Sequence, residues 1–138
     1  MRLTRRYRFS ASHRLHSDRL SDAENDRMYG KCNNPFGHGH DYVLDVSVCG
    51  PLDVDSGRIV DLERLDGLIA REVLLPFDHK NLNADVGSFR TVVPTTENLA
   101  IEIRRRLEQS WVTAFGERGP ALDRIRIEET KRNYIELQ

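Results

Sequence analysis

The sequence predicts an α+β fold in which a four-stranded antiparallel sheet carries two helices on one face, in the order β-β-α-α-β-β. Apolar and polar residues alternate over two stretches near the amino terminus and two near the carboxyl terminus, which is typical of half-buried strands. Between these stretches lie two segments with apolar residues at helical spacing. Strands that flank a helix pair are typical of α+β domains.

Length and composition limit the classes of protein that this chain can represent. Its 138 residues fit one domain, residues 1–138. A formal net charge of −1 argues against a dedicated nucleic-acid-binding protein, and no apolar run approaches the roughly 18 residues of a membrane span. Two cysteines without a secretory segment indicate a reducing, cytoplasmic location. We also expect self-association, because the sheet would otherwise leave one face bare.

The first strand is predicted over residues 3–13, with Phe9 and His13 on one face and Arg6 and Ser10 on the other. Residues 14–37 are polar and aperiodic, which predicts a loop. Loops of about two dozen residues are uncommon in compact domains and are mostly functional or disordered.

Alternation returns at His38 and places His38, His40 and Tyr42 on one face of a second strand, which Gly50-Pro51 ends. Residues 61–75 have helical spacing, with Asp61 as a plausible cap and Pro76 as a stop.

A second helix is predicted from Thr95-Thr96-Glu97, where Thr can cap the helix, to Gly116. Ile125, Ile127 and Glu129 share one face of the third strand, and residues 134–137 form a returning strand.

Histidines at the ends of the first two strands predict a metal site. His38 and His40 are two residues apart, so a strand projects both imidazoles from one face. His13 ends the first strand and supplies a third imidazole if the two strands pair. Three histidines without an obvious fourth ligand describe a catalytic zinc site with one open position.

Cys32 lies six residues before His38 and admits two interpretations. A thiol beside a cationic metal site has a lowered pKa and can act as a base or nucleophile. Alternatively, Cys32 is a fourth zinc ligand, which would close the site and make it structural. Spacing alone leaves both open.

Two further groups combine a carboxylate with an unusual position. Asp78-His79 could be an orienting pair for proton transfer, or a helix-end histidine beside a solvated aspartate. Glu129 falls on the inward face of its strand, where a buried carboxylate needs donors such as the paired N–H groups of a heterocycle. If the strand ends earlier, Glu129 is solvated instead.

Five motifs in order resemble the 6-pyruvoyltetrahydropterin synthase family. They are FSASH, CNNPFGHGHDY, PFDHKNLN, PTTENLA and IRIEET, and they cover the chain from Phe9 to Thr130. The resemblance implies the tunnelling fold, in which three subunits form a barrel, two trimers stack into a hexamer, and active sites lie at subunit interfaces. It also implies a zinc-dependent lyase of tetrahydrobiopterin biosynthesis.

Roles for individual residues follow from the resemblance. It implies that His13, His38 and His40 bind Zn²⁺, that Cys32, Asp78 and His79 are catalytic, and that Glu129, Thr96 and Glu97 bind the pterin. Position and charge make Lys31, Arg27, Arg14 and Lys80 candidates for contacts with the triphosphate. A departure from relatives is the Lys131-Arg132 turn after the last motif.

The resemblance favours one reaction and leaves two alternatives. Five residues separate Cys32 from the HGH motif, which looks like the pyruvoyl synthases that convert 7,8-dihydroneopterin triphosphate to 6-pyruvoyltetrahydropterin and release triphosphate. The 6-carboxytetrahydropterin synthases of the queuosine and deazapurine pathway usually have three. A non-catalytic, zinc-stabilised binding module is the alternative of another class, and it requires Cys32 as a ligand.

Overall fold

The computed structural model describes residues 1–138 and contains five strands. They are β1 (Arg2–His13), β2 (His38–Cys49), β3 (Lys80–Asn81), β4 (Ala121–Thr130) and β5 (Asn133–Leu137). They form one sheet in the order β3-β1-β2-β4-β5. The pairs β1–β2, β2–β4 and β4–β5 are antiparallel, whereas β3 is parallel to β1. The predicted α+β class with a largely antiparallel sheet is confirmed, but the sheet has five strands rather than four.

The extra strand, β3, consists of only two residues. Lys80 and Asn81 pair with Ala11 and Ser12 at the outer edge of β1. Two residues are too few to show alternation, so no sequence pattern could reveal this strand.

The helices are α1 (Asp22–Tyr29), α2 (Leu62–Ile69), α3 (Leu75–Phe77), α4 (Leu82–Asp85) and α5 (Thr96–Phe115). A π-helical segment, Ala70–Leu74, joins α2 to α3, so the predicted first helix continues two residues past its expected end. The side chains of Asp61 and Thr95 accept hydrogen bonds at the starts of α2 and α5, as predicted. No helix has both the length and the apolar character that a membrane crossing requires.

Helix α1 lies within the segment that the sequence predicted to be a loop, and that prediction was wrong. A capping box begins the helix: the Ser21 side chain accepts from the Glu24 N–H, and Glu24 accepts from the Ser21 N–H. Its only buried residue is the polar Asn25, so the helix has no apolar stripe by which to recognise it.

The hydrophobic core lies between the helices and one face of the sheet. Alternate residues of the strands supply Phe9, Tyr42, Leu44 and Ile127, and α5 supplies a stripe that includes Ile103. The core also explains why the metal-site candidates are fixed in place. The buried side-chain row along β2 continues directly into His40 and His38, which therefore share the face that packs against the helices.

Candidate metal centre and adjoining pocket

The β1–β2 pairing brings three histidines together. His13 is opposite His38 in the antiparallel ladder, and Ala11 is opposite His40. The imidazole centroids lie 5.3 Å apart for His13 and His38, 5.0 Å for His13 and His40, and 4.6 Å for His38 and His40. The histidines that the sequence predicted as ligands therefore form one cluster.

Hydrogen bonding fixes which nitrogen of His13 is free. Nδ1 of His13 lies 2.9 Å from the carbonyl oxygen of Pro94, which can only accept. Nδ1 therefore carries the proton and donates it, and the lone pair is on Nε2. A carbonyl that orients a histidine in this way is the usual outer partner of a metal ligand.

The cluster has the donor set and the vacant lone pairs that a metal ion needs. Nε2 of His13 and Nε2 of His40 are buried without a hydrogen-bond partner. Sγ of Cys32 lies 3.1 Å from Nε2 of His38, and the ligand atoms of all four residues lie within 4.8 Å of one another. Ligands around a tetrahedral zinc ion are about 3.3–3.8 Å apart. These residues fit a bound metal ion.

Burial adjusts the protonation of the cluster. It lowers the pKa of His13 and of His40, which favours the neutral imidazoles that metal binding requires. Burial, and then the charge of Glu129, raise the pKa of the Cys32 thiol. A cation among these ligands would oppose that effect and favour the thiolate.

Glu129 reaches the cluster from β4. The register between β4 and β5 shifts between Glu128 and Thr130, so Glu129 is the additional residue of a β-bulge. Its Oε1 lies 3.5 Å from Nε2 of His40 and 3.9 Å from Nε2 of His13, and only 14% of the side chain is exposed. The inward position that alternation predicted is therefore present.

A pocket of about 740 Å³ opens beside Cys32 and Glu129. Thr96 and Glu97, at the start of α5, line it as well. Its other lining residues were not identified from the sequence: Leu15, Met28, Tyr29, Thr95, Arg132, Asn133, Tyr134 and Ile135. Met28 and Tyr29 belong to α1. Because the sequence did not predict this helix, it did not predict the side of the pocket that these residues form.

Asp78 and His79 contact each other, but neither residue lines the pocket beside Cys32. Oδ1 of Asp78 lies 3.1 Å from Nδ1 of His79 and accepts a hydrogen bond from the backbone N–H of Ser10 at 2.9 Å. His79 has a φ of +58° and a side chain that is 82% exposed. It borders a separate cleft together with Lys80, so one chain does not bring this pair into the pocket of Cys32.

The four basic residues predicted to contact the triphosphate also lie outside the lining of the pocket beside Cys32. The Arg14 guanidinium donates to the carbonyl oxygen of Asn33, Lys80 borders the second cleft, and Lys31 and Arg27 lie outside the lining. Arg132 is the only basic residue in the lining. In the sequence, Arg132 stands out only as part of the Lys131-Arg132 turn, in which this chain departs from its relatives. That departure alone does not indicate ligand binding.

The fold and the site together define a class of protein: an α+β domain whose His-Cys cluster opens into a ligand-sized pocket with an inward carboxylate. The family model described as 6-pyruvoyl tetrahydropterin synthase matches residues 2–138. The chain therefore belongs to the 6-pyruvoyl tetrahydropterin synthase family, and the resemblance of its motifs is confirmed.

Individual relatives agree with this assignment. Over 133 residues, which are 96% of this chain, it is 45% identical to 6-pyruvoyl tetrahydrobiopterin synthase of Poecilia reticulata and 43% identical to that of Homo sapiens. The alignments cover 86% and 88% of those proteins. The structure of 6-pyruvoyl tetrahydropterin synthase from Caenorhabditis elegans has a TM-score of 0.89 and 42% identity, with 100% of this chain and 94% of the other covered.

Proposed function

We propose that this protein is a zinc-dependent 6-pyruvoyltetrahydropterin synthase, a lyase that converts 7,8-dihydroneopterin triphosphate to 6-pyruvoyltetrahydropterin and eliminates triphosphate. The observation that carries the proposal is the position of the His-Cys cluster and Glu129 at one pocket. Relatives at 43–45% identity carry the name of this activity. Residues 1–138 act as one domain in this proposal.

The metal ligands are His13, His38 and His40, because the pairing of β1 and β2 places their ligand nitrogens within 4.8 Å of one another. Zinc bound there would act as a Lewis acid on the side-chain hydroxyls of the substrate and acidify the adjacent C–H bonds. Cys32 serves as the base at those carbons, since its Sγ lies 3.1 Å from Nε2 of His38 and the residue lines the pocket.

Glu129 anchors the pterin ring. Its carboxylate can accept two parallel hydrogen bonds from a ring N–H and the neighbouring amino group. Thr96 and Glu97 line the same pocket and would contact the ring from the start of α5. The pocket volume of about 740 Å³ is within the usual range for sites of small molecules.

Asp78 and His79 reach the reacting atoms from a neighbouring subunit in this proposal. His79 is largely exposed in its own chain and lies apart from the Cys32 pocket, which supports a role across an interface. There His79 would pass on the protons that Cys32 removes, while Asp78 orients the imidazole. We therefore also propose a homo-oligomer, a hexamer built as a dimer of trimers, and a cytoplasmic location, which both free cysteines support.

A product assay tests the proposal. Purified protein is incubated with 7,8-dihydroneopterin triphosphate, and the pterin product and free triphosphate are identified by chromatography and mass spectrometry. We expect 6-pyruvoyltetrahydropterin and one equivalent of triphosphate. A 6-carboxy product would assign the chain to the queuosine-type reaction. Binding without turnover would favour a binding module, in which Cys32 completes a closed metal site.

A further inference from the structure

The turn that carries Cys32 is hydrogen-bonded to the strand extension, residues 14–16, which directly follows β1. Cys32 and Asn33 belong to a short 3₁₀ turn, Gly30–Asn33, whose start has no side-chain cap. The backbone N–H of Leu15 donates to the carbonyl oxygen of Cys32 at 2.7 Å, and Nε of Arg14 donates to the carbonyl oxygen of Asn33 at 3.1 Å. Such turns are short and have poorer hydrogen-bond geometry than an α-helix, so outside contacts determine their position.

The side chain of Asn33 supplies a second attachment for the turn. It is 8% exposed, and its Nδ2 donates to Oδ1 of Asp26 at 2.6 Å. Its Oδ1 lies 2.8 Å from Nδ1 of His16, which donates to it. Asp26 belongs to α1, so Asn33 connects the Cys32 turn to that helix on one side and to the strand extension on the other.

We infer that Asn33 is a positioning residue for Cys32, acting through the hydrogen bonds to Asp26 and His16. The inference rests on the proposed function, in which the Cys32 thiol moves protons. The metal-ligand histidines are fixed by the β1–β2 ladder, whereas the thiol lies on a separate turn that must be held against them. A misplacement of about 1 Å at a reacting group can cost about 10²-fold in rate.

Asn33 lies outside the hydrophobic core and outside the cluster of metal-ligand candidates. Its side-chain hydrogen bonds join it to Asp26, His16 and Arg14, and none of them involves His13, His38 or His40. Loss of its side-chain hydrogen bonds should therefore lower kcat while KM and bound metal change little. A residue that served only the general stability of the fold would not produce this combination.

Exchanging the amide of Asn33 and the carboxylate of Asp26 tests whether the hydrogen bond between them positions Cys32. Asn33→Asp places a carboxylate against Asp26, and the two charges repel. Asp26→Asn alone keeps an acceptor for Asn33 and is the matched control. Together, D26N and N33D restore one amide donor facing one carboxylate, and Oδ1 at position 33 still accepts from His16. We expect kcat at least about tenfold lower for N33D, within about threefold of wild type for D26N, and largely recovered in the double variant.

The reactivity of the thiol gives an independent measurement. In a Cys49→Ala background only Cys32 can react with iodoacetamide, since these are the two free cysteines. We expect N33D to alkylate at least about threefold faster, because release of the turn exposes a half-buried thiol. The double variant should return to the original rate. His16→Ala, which removes the other hydrogen bond, should shift the rate in the same direction and provides a second test if N33D folds poorly.

The outcomes separate this inference from the proposed function. If the wild-type protein does not convert the pterin triphosphate, the proposed function fails, and the alkylation rates alone decide the role of Asn33. Wild-type alkylation and wild-type kcat in N33D would overturn the inference. So would an N33D defect that D26N does not repair.

Discussion

His13 and His38 are a directly opposed cross-strand pair at the ends of β1 and β2. Their positions therefore depend on the main-chain hydrogen bonds of a twelve-residue ladder, and His40 follows in the same row on β2. Sites on regular strands hold ligand geometry more closely than sites on loops. The ladder therefore explains how one buried and two partly buried imidazoles are held within about 5 Å of one another.

Replacement of any one of His13, His38 or His40 by alanine should remove the bound metal. Loss of a group that merely orients a ligand typically costs 10–100-fold in affinity, and loss of the ligand itself should exceed this range. Metal per subunit is measured by mass spectrometry after dialysis against a chelator. His16→Ala is the control and should retain metal, because its ring contacts Asn33 rather than the cluster. Full occupancy in His38→Ala would refute the three-histidine site.

Cys32→Ala should keep the metal and lose turnover by about 10²-fold or more, as is typical for removal of a general base. The reason is that three imidazoles still surround the ion, while no other thiol lies in the cluster. Metal content and single-turnover rates are compared with wild type. If the alanine variant loses the metal instead, then Cys32 is a structural ligand. Cys49→Ala, which alters the other free cysteine, should leave both quantities unchanged.

Glu129→Gln should weaken binding of a pterin such as neopterin at least about tenfold, or 1.4 kcal/mol, because an amide donor would replace an acceptor oxygen. Isothermal titration calorimetry measures the change. Glu128→Gln is the matched control: its carboxylate lies 3.6 Å from Arg126 rather than at the cluster, and it should bind normally. Equal effects of the two substitutions would place the anchor elsewhere.

Acid should destabilise the protein in part through Glu102. Burial alone would raise the pKa of Glu102, but hydrogen bonds from Arg105 and Arg106 lower it to about 2. The carboxylate therefore stabilises the fold fully above its ordinary pKa of 4.5, and this contribution is lost as the pH falls from 4.5 towards 2. Glu102→Gln should cost about 1–3 kcal/mol at pH 7 and progressively less below pH 4.5.

Urea unfolding at several pH values measures this difference. Glu108→Gln serves as the control, since its carboxylate forms an exposed i,i+4 pair with Arg104 and should contribute little at any pH. A Glu102→Gln deficit that is constant from pH 7 to pH 3 would contradict the assignment of the lowered pKa.

Gly37→Ala should destabilise the protein more than Gly57→Ala. Both glycines have left-handed backbone, with φ of +72° and +66°, so each alanine costs about 1–2 kcal/mol in strain. A Cβ at position 37 would also lie 2.8 Å from the carbonyl oxygen of His13, whereas nothing lies within 4 Å of one at position 57. Chemical denaturation of the two variants isolates the cost of that close contact, and equal losses would exclude it.

The sequence predicted the parts of the fold in which side chains alternate or repeat. The strands β1 and β2 and the helices α2 and α5 bury apolar stripes, so their patterns are visible in the sequence. The same periodicity placed His38, His40 and Glu129 on the inner face of the sheet. In contrast, α1 is stabilised by the capping of Ser21 and by the buried polar Asn25, neither of which produces an apolar period.

The pocket was only partly predictable for a related reason. Thr96, Glu97, Cys32 and Glu129 belong to recognisable motifs, but Arg132 enters the lining through the turn that follows a β-bulge. A bulge inserts one extra residue into a strand, which bends the strand and shifts its pairing register by one residue. Alternation counted along the sequence cannot predict where this happens. The separation of His79 from Cys32 is likewise a property of the folded chain, since β3 ties the His79 segment to the outer edge of β1.

The sheet order also determines when each half of the site can form during synthesis on the ribosome. β1 and β2, which carry His13, His38 and His40, are adjacent in the sheet, and both have been synthesised once Cys49 is added. The other edge of β2 pairs with β4, which begins only at Ala121 and carries Glu129. The unpaired backbone N–H and C=O groups along this edge of β2 are therefore open to aggregation until β4 has been synthesised. A metal ion that bound the early strand pair would stabilise it through this interval, before Glu129 has been synthesised.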